Sequence, residues 1–361
     1  RSSDLMQTLG NDKADILKMT CVTAKQIAKA SEATVFFLIF IGIVINATVC
    51  GVMLKNKCVL KNLSNFFVFH LSVADLIFRL LTAGPLIYLS TVFSVEEGTI
   101  PCKLLHFFSS ACGAAFFVSL LVISVDVYRD AAYPLKGLMS RRTPFVVVFV
   151  VWLYAVICSG PLMYSAQSIL YTQIPEADQN LTEELKNCSV PKLCDLYRNW
   201  SGQLSTTLYF LLAFTVPLVV MVFLFVVTFV YLKKDVKNGT ISKETANAKR
   251  KVTRMLSALS IGVVICWGPS VFISMLRSFN VLAEVHPDIV LVLTIITELM
   301  KFVNSLFNPL IFACYIPNFR KDWFGFCSCR RCRKQEMETQ NPTIQRMPIQ
   351  STEYRDSQTM M

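Results

Sequence analysis

The chain has 361 residues, 54% of them hydrophobic and only 16% charged, with a formal net charge of +11 and a mean hydropathy of +0.51. Soluble domains carry about 25% charged residues, so much of this apolar surface must face something other than water. Disordered, collagen-like and coiled-coil classes are excluded, and the positive charge is not spread over a polar chain as in a soluble nucleic-acid binder.

The predicted elements follow in chain order. Residues 1–33 form an N-terminal tail holding Cys21. Then come seven apolar blocks, 34–55, 62–90, 101–133, 144–166, 204–232, 252–279 and 287–315. Each reaches the roughly 20 apolar residues that cross a bilayer core of about 30 Å. Backbone groups find no partners in lipid, so the blocks are predicted to be helices. The fold class is therefore all-α membrane, a seven-transmembrane helix bundle over 34–316. Residues 317–334 follow as a membrane-surface segment with Cys327, Cys329 and Cys332 among basic residues. Cysteines there suggest palmitoylation. Residues 335–361 are polar and predicted to be a disordered tail, whose Ser and Thr residues could be phosphorylated.

Seven is odd, so the termini lie on opposite sides. Basic residues cluster after spans 1, 3 and 5, for example Lys55, Arg141, Arg142, Lys233, Lys234 and Lys249. Acidic residues such as Glu96, Glu97, Asp178 and Glu183 lie in the alternate loops. The basic side is cytoplasmic, which places the N-terminus outside and the C-terminus inside. The chain opens Arg1-Ser2-Ser3 without a signal-peptide pattern, so span 1 is expected to act as the insertion signal. The lack of an initiator Met leaves room for a longer front end.

Sequons at Asn180, Asn187 and Asn199 all fall in the outer loop between spans 4 and 5, where glycosylation occurs. Cys21, Cys102, Cys188 and Cys194 lie on that oxidising side. Four cysteines allow three pairings; the favoured one joins Cys102 to Cys188 or Cys194 and leaves Cys21 for the other.

Charges inside apolar spans are costly and face the bundle interior. Asp75 and Arg79 share one face of span 2, and Glu298 and Lys301 share one face of span 7. Either pair could simply neutralise itself and hold helices together; Glu298 and Lys301 lie nearer the outer end, where a ligand can reach. Asn46, Asn304, Ser305 and Asn308 are further buried polar candidates. Pro217, Pro269 and Pro309 each remove a helix hydrogen bond.

Over about residues 34–326 the chain resembles the rhodopsin-like (class A) G-protein-coupled receptors, most of all the peptide type. The matching residues are Asn46, Leu71-x-x-x-Asp75, Cys102 placed 24 residues before Asp126, Trp152, Phe214-x-x-Pro217, Cys266-Trp267-Gly268-Pro269 and Asn308-Pro309-Leu310-Ile311-Phe312. Phe319 matches the start of a short amphipathic helix 8. The resemblance implies switch and G-protein-coupling roles for Asp75, Asp126, Val127, Tyr128, Trp267, Pro269, Asn308, Pro309 and Phe312.

The chain departs from the family at those switches. Asp-Arg-Tyr reads Asp126-Val127-Tyr128, and Arg129 is rotated about 200° from Val127. Position 249 is Lys, so the acidic partner of the family's inner lock is missing from its usual place. Phe312 replaces a tyrosine, and Phe116 replaces a serine that helps hold sodium. With Arg79 close by, sodium at Asp75 is not expected, and no other metal or cofactor is.

By resemblance the ligand pocket lies between the outer halves of spans 3, 5, 6 and 7. Its residues would be His106, Ser109, Cys112, Gly113, Thr206, Tyr209, Phe210, Trp267, Ser270, Ser274, Arg277, Thr294, Glu298 and Lys301. Ser109 stands where amine receptors carry Asp, and Phe302 where opsins carry the retinal Lys, so both ligand classes are set aside. The acidic outer loop would attract cations. An extracellular neuropeptide with a charged or amidated end fits best, and a small lipid or organic acid second. The implied partners are a heterotrimeric G protein, arrestin and the lipid bilayer. An atypical receptor that internalises ligand with weak G-protein coupling is the alternative that Val127 raises. A transporter or channel is disfavoured, since no internal repeat is visible. His70, His106 and His286 lack any triad or metal spacing, so no enzyme is expected.

Overall fold

The computed structural model describes residues 2–55, 59, 63–91, 95–132, 143–170, 192–196 and 198–315. Asn180, Asn187, Cys188, the predicted helix 8 with Cys327, Cys329 and Cys332, and the tail 335–361 lie outside them, as does the side chain of Cys21.

Seven helices are long and apolar enough to cross a membrane. Span 1 is Ser2–Lys55, span 2 Leu63–Thr91, span 3 Val95–Ala132, span 4 Thr143–Ser165, span 6 Lys243–Ser278 and span 7 Pro287–Tyr315. Span 5 joins three pieces, Trp200–Leu208, a π-helix Tyr209–Thr215, and Val216–Lys237. Span 1 continues as one helix through the stretch expected to be a tail, and its apolar part is Lys29–Lys55. Span 3 is central, touching spans 2, 4, 5 and 6; span 1 packs on spans 2 and 7, and span 6 on span 7.

Side chains sort by solvent. Phe37, Phe40, Phe149 and Phe223 stand exposed on outer faces, while Asp75, Arg79, Asn304 and Asn308 are buried. That is the reverse of a water-soluble protein and what a lipid surround requires. Pro85, Pro101, Pro161, Pro269 and Pro309 sit inside helices, which neighbouring spans can support. The π-helix ends just before Pro217. Proline has no N–H and crowds the preceding turn; the widened turn relieves this. Val216 N–H reaches Leu211 O, and the Thr215 hydroxyl donates to Phe210 O at 2.8 Å.

Two local devices position the bundle's middle and outer end. Trp152 Nε1 donates to His70 Nε2 at 3.1 Å, so the imidazole proton sits on Nδ1, 3.3 Å from Ser119 Oγ. This chain of contacts joins spans 2, 3 and 4 without a charge. At the outer end, β1 (Ala166–Leu170) pairs antiparallel with β2 (Lys192–Leu196), Ala166 opposite Leu196. Cys194 of β2 is disulfide-bonded to Cys102 of span 3, with 5.4 Å between their Cα atoms. Of the two expected partners of Cys102, Cys194 is the one.

Candidate functional site: an outer cavity, a buried charge centre and an inner latch

Beneath this hairpin lies a small, partly open cavity. Of the predicted pocket residues, His106, Ser109, Thr206, Tyr209, Trp267, Ser270, Ser274, Glu298 and Lys301 line it, joined by Ser110, Leu162, Leu196 and Val271. Arg277 is off the wall and donates to Thr294 Oγ1 at 3.3 Å. Gly113 lies behind Trp267: a Cβ there would stand 2.7 Å from the indole and 3.0 Å from the Tyr209 hydroxyl. Its role is to let Trp267 and Tyr209 approach span 3. Tyr209 then donates to Ser110 O at 2.8 Å, and Thr206 and Ser278 hydroxyls lie 2.8 Å apart across spans 5 and 6.

The charge in the cavity comes from span 7. Glu298 and Lys301 are three residues apart, and their charged atoms close to 2.5 Å. Ser270 donates to the other Glu298 oxygen at 2.7 Å. Lys301 also donates to Ser109 Oγ at 3.2 Å and lies 5.8 Å from the Trp267 ring, within cation–π reach. The pair is lopsided: the Glu298 side chain is 44% accessible, that of Lys301 10%. Both line the cavity, and the less accessible ammonium is the counter-charge of the more accessible acid.

At mid-membrane Asp75 is fully buried. Its Oδ2 accepts from Asn46 Nδ2 at 2.9 Å, from Arg79 Nε at 3.0 Å and from the Ser305 hydroxyl. Spans 1, 2 and 7 thus meet on one oxygen. Asn308 and Phe312 are buried on the inner side of span 7.

At the inner end the acid expected of the family at position 249 is indeed a lysine, and it finds an acid of its own: Lys249 Nζ lies 3.1 Å from Asp130 Oδ2 and donates to Asp130 O at 2.8 Å. Spans 3 and 6 are latched with the signs exchanged, base on span 6 and acid on span 3. Arg129 binds Asp126 Oδ1 at 2.8 Å, within its own helix. Val127 packs half-buried against the core, and Tyr128 meets Tyr231 of span 5 edge-on at 5.9 Å.

Residues 45–312 match the family described as "7 transmembrane receptor (rhodopsin family)". The chain is 27% identical over 319 residues to galanin receptor 2b of Danio rerio, covering 85% of this chain and 77% of that protein. It is 25% identical over 325 residues to neuropeptide FF receptor 2 of Rattus norvegicus, covering 85% and 74%. To neuropeptide Y receptor type 2 of Sus scrofa it is 22% identical over 311 residues, covering 82% and 75%. These relatives are receptors, not enzymes. A bundle of seven spans whose outer cavity, buried Asp75 centre and proline-bearing spans 5 to 7 fall within that match is a multi-pass membrane protein of the rhodopsin family of seven-transmembrane receptors.

Proposed function

We propose that this chain is a plasma-membrane receptor for an extracellular neuropeptide that presents a cationic or amide donor to the outer cavity. The observation that carries this is Glu298, which lines the cavity with a side chain 44% accessible while that of its lysine partner is 10% accessible. A carboxylate so placed accepts charge-assisted hydrogen bonds from a guanidinium, ammonium or terminal amide. Relatives named for galanin, neuropeptide FF and neuropeptide Y support a peptide. The N-terminus is extracellular, the C-terminus cytoplasmic, and the signal passes to heterotrimeric G proteins and arrestin. Asn199 is exposed, and its Oδ1 caps the first turn of span 5 by accepting from Gly202 N at 3.1 Å; N-glycans belong there and at Asn180 and Asn187, and palmitate at Cys327, Cys329 and Cys332.

The test is to express the chain in cells and apply peptide libraries of equal length in basic, neutral and acidic versions, reading nucleotide exchange and arrestin recruitment side by side. The reading expects responses to basic or amidated peptides. Silence to every peptide with a response to organic acids or lipids would overturn it. A second reading, an atypical receptor that internalises ligand with weak G-protein coupling, is favoured by Val127 and by the engagement of Arg129 with Asp126. Arrestin recruitment without nucleotide exchange would select it.

A further inference from the structure

We propose that the Arg79 guanidinium is the resident cation of the Asp75 centre, occupying the seat that a diffusible sodium ion takes in related receptors and fastening spans 1, 2 and 7 together. The Arg79 side chain is wholly buried. Its Nε donates to Asp75 Oδ2 at 3.0 Å, Nη1 to Leu38 O of span 1 at 2.9 Å and Nη2 to Phe302 O of span 7 at 2.6 Å. A carbonyl has two lone pairs, so each can take this donor beside its own helix bond. The guanidinium carbon also lies 5.8 Å from the Phe302 ring centre. A planar fork with five N–H groups reaches three helices at once, which a lysine in this place could not do.

Span 1 is shaped for it. A Cβ on Gly42 would stand 2.1 Å from Arg79 Nε and 2.2 Å from its guanidinium carbon. The guanidinium fills the volume that any side chain at 42 would need, so Gly42, Asp75 and Arg79 form one unit.

The same centre disfavours sodium by its charge and by the donors already on Asp75 Oδ2. Asp75 Oδ2 already takes donors from Asn46, Arg79 and Ser305. Phe116, fully buried, offers no oxygen. Asp75 and Arg79 sum to zero charge; a sodium ion would add an uncompensated positive charge in a water-poor interior, beside one already there. Asp75 Oδ1 and Asn46 Oδ1 take no hydrogen bond here, but the charge of the centre is already balanced without an ion from solution. This does not depend on what the outer cavity binds.

The experiment compares thermal unfolding of purified receptor in sodium chloride and in N-methylglucamine chloride, both at about 0.15 M. The unaltered receptor is expected to unfold at the same temperature in both. Arg79→Leu frees the Asp75 carboxylate and is expected to gain a sodium-specific rise of about 3 °C. Gly42→Ala, which keeps every charge but puts a methyl where Nε lies, is expected to show the same gain. A sodium-specific rise in the unaltered receptor overturns the proposal. So does either variant, folded but indifferent to sodium. If both variants fail to fold while Asp75→Asn/Arg79→Leu folds and ignores sodium, the centre depends on its resident cation, as proposed. If that double variant also fails, sodium-23 relaxation on the unaltered receptor decides: protein-specific broadening refutes the proposal, and its absence supports it.

Discussion

Asp75–Arg79 at mid-membrane and Asp130–Lys249 at the inner end are ion pairs of nearly equal length, 3.0 and 3.1 Å. Distance alone would make them equivalent. In the first, both side chains are essentially inaccessible; in the second, Asp130 is 62% accessible. A buried pair cannot fall back on water when one partner goes, so it acts as a fixed joint. An accessible pair can, so it acts as a latch that opens at little cost. Glu298–Lys301 lies between, with one partner buried and the other facing the cavity.

The largest effect is expected from breaking the joint. Asp75→Ala strands the Arg79 charge and should destabilise the receptor by about 3–5 kcal/mol, read as lost cell-surface expression and a lower unfolding temperature. Adding Arg79→Leu should recover most of the loss. If the double variant is as unstable as the single one, burial is not what separates the two pairs. Next comes the disulfide: Cys194→Ser should cost about 2–4 kcal/mol and loosen the hairpin over the cavity, read by expression and by faster proteolysis there. Gly113→Ala follows, at about 1–3 kcal/mol of overpacking. Because the clash is with Trp267 on kinkable span 6, changed basal signalling should accompany the lower unfolding temperature.

The fold was readable because lipid imposes a simple rule: seven apolar blocks of sufficient length, with basic residues gathered in alternate loops. The cavity was readable in large part through the family resemblance, which puts it between the outer halves of spans 3, 5, 6 and 7. What composition could not supply is partnership. Asp130 looked like one more acid at a helix end, since nothing in the sequence says that span 6 bends toward it. Leu162 and Leu196 read as ordinary apolar residues, yet line the cavity. Gly42 reads as a neutral small residue and Gly113 as one more pocket residue; only the arrangement of Trp267 and Arg79 shows that each glycine is a space that a neighbour fills. Cys194 rather than Cys188 pairs with Cys102 because strand β2 holds it against span 3, a three-dimensional fact.

The intermediate pair offers a sharper test of the comparison. Glu298→Gln keeps the acceptor for Ser270 but removes the charge presented to the cavity. A charge-assisted hydrogen bond contributes about 1.5–3 kcal/mol, so potency of a basic peptide found in the library screen should fall about 10- to 100-fold. Surface expression should change far less than in Asp75→Ala. Equal losses of expression in the two would mean that Glu298 is another joint rather than a ligand contact.

The smallest effect belongs to the inner latch. An accessible pair contributes about 0.2–1 kcal/mol, so Asp130→Lys alone should leave the unfolding temperature nearly unchanged. It places two bases face to face and should raise basal nucleotide exchange by up to about fivefold. Lys249→Asp alone places two acids together and should do the same. Asp130→Lys/Lys249→Asp restores attraction with the signs reversed and should return basal exchange to its starting value. High salt screens the contact, so the gap between the single and double variants should shrink as ionic strength rises. Additive effects in the double variant would show that the two residues act separately and that spans 3 and 6 are held by packing around Val127 alone.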